Sequence, residues 1–137
     1  MLRRRESCLI DADVIYAFLD PSDWLHEPAR RVMKVVERGG VDAYVTPITV
    51  LELAVVVKRD ISEDAMLKLY EELKSLALKF LQVDEDAVRE AFNYMKMGMG
   101  IFDAFHAATA KTHKLTIIST DHKYDQAGLK RIDPREF

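Results

Sequence analysis

An α/β fold with a mainly parallel central sheet of four to five strands, flanked by helices, is the architecture this sequence predicts. Three observations predict it. Short apolar runs alternate with amphipathic stretches along the whole chain, the order expected of helices packed on both faces of a sheet. The apolar runs are brief and rich in β-branched residues, as strands buried on both faces are. No internal repeat, low-complexity segment or Pro/Gly-rich linker interrupts the alternation, so residues 1–137 read as one domain.

The elements follow in order. SCLI (7–10) is a buried strand and DVIYAFL (13–19) a short helix. Residues 26–40 form a helix: Pro28 suits its first turn, Val32, Val35 and Val36 share a face, and Gly39-Gly40 end it. AYVT (43–46) is a strand, and Pro47 opens a helix that runs through 59. Ser62 caps a helix over 62–78, with Met66, Leu69, Tyr70 and Leu73 on its inner side. KFLQV (79–83) is a strand, and residues 84–97 are a helix. The next helix begins at GIFDAFHAATAK (100–111), LTIIS (115–119) is a strand, and KRI (130–132) is a short final one.

Composition narrows the function classes. With 49% hydrophobic and 31% charged residues the chain is an ordinary globular sequence rather than a disordered one. A formal charge of −3 excludes a passive, globally basic nucleic-acid binder. Local clusters at Arg3-Arg4-Arg5, Arg30-Arg31 and Lys58-Arg59 are read as solvated surface charge. Cys8 is the sole cysteine, so no intrachain disulfide forms; it reads as a small buried hydrophobe in a protein of the reducing cytoplasm. The apolar run from Cys8 ends at Asp11, far too short for a signal peptide, and no stretch reaches membrane-spanning length.

In parallel sheets, ligands bind beyond the carboxyl ends of the strands. Asp11 directly follows the first strand, and Asp121 comes two residues after the fourth. Asp103 lies in the first turn of its helix, and Glu52 about one and a half turns into the helix opened by Pro47, both at the same predicted edge. Asp84 also follows a strand, and there helix capping is explanation enough. Glu52 sits among apolar residues, where a buried glutamate needs a partner. Four converging carboxylates do not all stay ionised without a counter-charge. A hard divalent cation, Mg²⁺ or Mn²⁺, is the expected one, since zinc-type Cys/His spacings are absent. Such a site suits phosphodiester hydrolysis.

The segments LIDADVIYAFL, TPITVLELAVVV, GIFDAFHAATA and IISTDHKYDQAGLKRIDP resemble, in order, the motifs of the PIN-domain family, and most closely its VapC-type toxin ribonucleases. The resemblance spans almost the whole chain and implies a PIN-like three-layer fold. It implies that Asp11, Glu52, Asp103 and Asp121 form an acidic quartet, in which Asp11, Asp103 and Asp121 bind Mg²⁺ or Mn²⁺ to cut RNA. Ser119 and Thr120 match supporting polar positions, Asp125 a further supporting acid, and Asp13 stands where the family commonly has Asn or Ser. The resemblance further implies a homodimer and a small antitoxin partner; no membrane association is expected, because no apolar stretch approaches membrane-spanning length. Lys123 departs from the pattern at a position that often carries an acid. His106 is expected to pack or orient rather than react.

Two rival readings stand beside this one. CLIDADV also fits the opening of a haloacid dehalogenase-type phosphatase, with Asp11 as nucleophile and Asp13 as general acid/base, but that chemistry leaves Glu52 and Asp103 without roles. The other is a non-catalytic PIN-like interaction module, against which the presence of all four acids argues.

Overall fold

Alternation along the strands dictates the layers. In β1 (Glu6–Ile10), Cys8 and Ile10 enter one apolar cluster and Leu9 another, because successive strand side chains face opposite sides. β4 (Thr116–Ile118) repeats the pattern, with Ile118 on the first side and Ile117 on the second. The computed structural model describes residues 5–137; Arg3 and Arg4 of the N-terminal basic cluster lie outside them.

With β2 (Val41–Val45), β3 (Lys79–Phe80) and β5 (Arg131–Ile132), these strands form a five-stranded sheet in the order β3-β2-β1-β4-β5, parallel throughout. One face is covered by α1 (Ala12–Leu19), α2 (His26–Glu37), α3 (Pro47–Asp60) and α4 (Glu63–Ser75), whose Ile15, Val32, Leu53 and Leu73 join its core. The other is covered by α5 (Glu85–Lys96), α6 (Ile101–His113) and the short α7 (Lys123–Gln126), through Tyr94, Ala104, Ala107, Ala108 and Tyr124. The chain leaves β1 for β2 on one side and returns to β4 on the other. That switch point opens a crevice at the carboxyl ends of β1 and β4, stitched by the Asp11 N–H donating to the Ile118 carbonyl at 3.0 Å.

Local chemistry sets the helix starts that face this crevice. Thr46, buried, caps α3: its hydroxyl accepts from the N–H groups of Ile48 and Thr49, and its own N–H donates to the Thr49 hydroxyl at 3.1 Å. Pro47 takes the first helical position, where no N–H is needed. Gly98, at φ 100°, makes the left-handed turn that separates α5 from α6.

Three expectations need correction. The third strand pairs only over Lys79–Phe80, extended by one bond from Leu81 N–H to the Val45 carbonyl, because it lies at the sheet edge with a single neighbour. Tyr70, expected on the inner side of α4, is exposed; Leu69 and Leu73 alone of the four expected residues are buried there. α7 was not foreseen, since four residues are too few to show a period.

The capping box fixes where α3 begins, so Thr46→Ala is expected to cost about 1 kcal/mol of stability. Urea unfolding of the two proteins measures this, and a cost indistinguishable from zero contradicts the assignment.

Candidate active site

Asp11 ends β1 at the N-cap position of α1 but makes no capping bond with its side chain. The carboxylate turns instead to Ser119, whose hydroxyl donates to Asp11 Oδ2 at 2.6 Å. Asp84 behaves in the opposite way and accepts from the Ala87 N–H at the start of α5. The two strand-end aspartates therefore have different tasks. Asp11 is only 4% exposed. Burial is the main cause that pushes its pKa up to about 7; the His106 charge and the Ser119 bond oppose the rise, and Asp13 and Glu52 add to it.

Glu52 has found the partner its surroundings demand. Its Oε2 lies 2.7 Å from His106 Nε2, and because an ionised carboxylate only accepts, the imidazole N–H donates. Small Ala104, Ala107 and Ala108, all fully buried, let α6 lie close to the sheet and carry His106 to this position. His106 is itself 1% exposed. Burial pulls its pKa down, yet the Glu52 bond and the charges of Asp11, Glu52 and Asp103 outweigh it, so the net direction is upward. Its Nδ1 is buried with no partner. Asp11, Glu52 and His106 each present one donor atom within 4.8 Å of the others.

Asp103 and Asp121 do not join that compact trio. Both are half-buried and are linked by Lys123, whose Nζ stands 3.6 Å from Asp103 Oδ2 and 3.9 Å from Asp121 Oδ2. The Tyr124 hydroxyl donates to Asp103 Oδ1 at 3.3 Å; burial, then the charges of Asp11, Asp103 and Glu52, raise its pKa and keep the phenol neutral. Ser119 Oγ also accepts from the Asp121 N–H at 3.0 Å, so one hydroxyl ties Asp11 to Asp121. Asp13 is exposed, yet the protein around it, then Glu52, Asp103 and Asp121, raise its pKa. It is a fifth carboxylate in the field of the others.

The remaining positions divide. Thr120 lines a small cavity with Asp13, Tyr16 and Trp24, next to the acids. Asp125 does not enter the cleft. It pairs with Arg131 at 2.9 and 3.0 Å, and Arg131, then His122, hold its pKa low. Arg131 in turn donates to the Ser119 carbonyl at 2.9 Å and so braces the strand end from behind. Lys123, Tyr124 and Arg131 were not among the positions singled out as site residues; no spacing rule marks them, because each reaches its partner through a four-residue helix or a neighbouring strand.

This donor set fits a hard divalent cation. Beside the unpartnered Nδ1 of His106, whose Nε2 is committed to Glu52, the donors are carboxylate oxygens, and oxygen is what Mg²⁺ and Mn²⁺ prefer. Among the described residues no cysteine thiol joins the cluster, as Cys8 lies in the core.

Comparison with known proteins places the geometry in context. A family model described as the PIN domain matches residues 8–130. No curated protein matches the sequence. Among solved structures, FitAcB from Neisseria gonorrhoeae superposes with a TM-score of 0.71 at 25% identity, over 95% of this chain and 99% of that one. VapC20 of Mycobacterium tuberculosis, a toxin that cleaves the sarcin–ricin loop, gives 0.73 at 14% identity, over 89% and 95%. VapBC2 from Rickettsia felis, bound to a DNA fragment from its promoter, gives 0.72 at 10% identity, over 92% and 97%.

The buried Asp11 gives a pH signature. A carboxyl whose pKa is near 4 unfolded and about 7 folded favours the folded state fully only below pH 4. That contribution is lost as pH rises through 7. Asp11→Asn should therefore gain stability over the wild type, in chelator, by at least about 1 kcal/mol more at pH 7.5 than at pH 5. Urea unfolding at both pH values measures it; an equal gain at both contradicts the buried-charge account.

Proposed function

The chain belongs to the PIN domain family, and on that footing we propose that it is a VapC-type ribonuclease that hydrolyses RNA phosphodiester bonds with Mg²⁺ or Mn²⁺. The observation that carries this reading is the gathering of carboxylates at the β1/β4 crevice, with Asp11 buried and Asp13 sensing Glu52, Asp103 and Asp121. Asp11, Asp103 and Asp121 would hold the ion. When bound, it would neutralise these acids and stabilise charge developing on the phosphate.

The chain's own residues supply the rest. Ser119 fixes the direction of Asp11, and Tyr124 that of Asp103. His106 engages Glu52 Oε2, which leaves Oε1 to accept a proton from the attacking water. The water oxygen bonds to phosphorus, the ester P–O bond breaks, and the departing ribose oxygen takes up a proton. Thr120 and Asp13 line the approach.

The toxin assignment draws support from the company the fold keeps, since solved structures of this shape include a toxin–antitoxin complex and an RNA-cleaving toxin. A small antitoxin and a second copy of the chain are the proposed partners. Leu51 and Val55, exposed on α3, are apolar surface that such assembly would bury. Among the described residues no helix is long and apolar enough to cross a membrane, and an RNA substrate implies the cytoplasm. The phosphatase alternative loses ground because Asp11, its required nucleophile, is buried and bonded to Ser119.

Asp103→Asn should lower Mn²⁺-dependent cleavage of a structured-RNA panel by more than about 100-fold, since even outer positions of a metal site cost 10–100-fold. Circular dichroism should be unchanged. A variant that still cuts RNA at the wild-type rate overturns the assignment.

A further inference from the structure

The cleft divides its counter-charges unevenly. On the Asp11–Glu52 side the resident basic group is the imidazole of His106. On the Asp103–Asp121 side it is the ammonium of Lys123, at 3.6 and 3.9 Å from one oxygen of each. Among the described residues, Lys123 is the one lysine or arginine within 4.0 Å of any of the five acids. Both distances are long for a hydrogen bond, so the ammonium lies between the carboxylates rather than docked on either.

The backbone prepares this arrangement. The N–H of Lys123 donates to Asp121 Oδ1 at 2.9 Å, which places that carboxylate beneath the first turn of α7. The next residue, Tyr124, takes Asp103 Oδ1. Two consecutive residues thus engage both oxygens of Asp103 and both of Asp121. Tyr124 is fully buried, so the turn that carries Lys123 is anchored in the core.

We infer that Lys123 is a built-in counter-ion for Asp103 and Asp121, and that it restricts the centre to one divalent cation. The inference rests on the metal-dependent reading of the site. Paired divalent ions in nucleases stand about 3.5–4 Å apart and share carboxylates. A second ion bridging Asp103 and Asp121 on the side away from Asp11 would need the space of the ammonium and would be repelled by it. A carboxylate has about four lone-pair positions, so both acids still reach a single ion while Lys123 stands in place of another. Lys123 therefore supplies, as part of the chain, positive charge that would otherwise be recruited from solution.

Calorimetric titration with MnCl₂ alone, without RNA, tests this on the wild type, Lys123→Ala and Lys123→Arg. The expected stoichiometry is one ion for the wild type, two for the alanine variant and one again for arginine, with circular dichroism unchanged. Two ions in the wild type, or one in Lys123→Ala, overturn the inference. A parallel RNA-cleavage assay separates it from the ribonuclease reading. If the stoichiometry rises from one to two but no protein cuts RNA, the counter-ion role stands and the nuclease assignment falls. If the wild type and Lys123→Ala both cut and both bind one ion, the nuclease assignment stands and the counter-ion role falls. No Mn²⁺ uptake by any of them overturns both.

Discussion

Asp11 is a carboxylate that the fold has taken out of water, and the rest of the site is arranged around that one charge. It lies where β1 ends beside β4, and its own N–H continues the ladder by bonding the Ile118 carbonyl. The backbone therefore fixes the residue before its side chain does anything. Ser119, on the adjoining strand end, offers a hydroxyl to the carboxylate, and Arg131 holds the Ser119 carbonyl in turn. A buried ion with so little solvent needs opposite charge nearby, and here the imidazole of His106, helped by the Ser119 hydroxyl, lowers the penalty. A multivalent cation is the group that would complete it.

Helix packing converts this local demand into a cleft. The small side chains of α6 bring its backbone onto the sheet, so that His106 meets Glu52 from α3, 54 residues away in sequence. The same close approach sets Asp103 in the first turn of α6, toward α7 and Tyr124. Bulky residues at Ala104, Ala107 or Ala108 would push the helix away and separate acids that come from four different elements. The positions of the carboxylates are thus a property of the core, and the core is what the apolar pattern specifies.

Much of this was legible in the sequence. Alternating apolar runs and amphipathic stretches specified the layers, and strand-terminal position marked Asp11 and Asp121. The apolar setting of Glu52 signalled an unmet need for a partner. Asp84, which also follows a strand, reads from the sequence as a helix cap and is one, whereas the turn of the Asp11 carboxylate toward Ser119 is decided by packing and leaves no mark in the strand-then-aspartate pattern. Nor did the sequence reveal that His106 answers Glu52, that Asp125 turns away to Arg131, or that Lys123 reaches back between two acids. Each of these depends on contacts between elements distant in the chain, or on a helix too short to leave a periodic trace.

The chain's membership in the PIN domain family and the burial of Asp11 among other acids frame the central claim of the proposed function: this fold holds carboxylates together at a cost in free energy that a divalent cation would remove. Thermal unfolding in MnCl₂, against KCl of equal ionic strength, tests that claim most directly. The account predicts a saturable rise in midpoint of about 3 °C or more with Mn²⁺ and none with K⁺. Equal shifts in the two salts, or no shift in either, would contradict it.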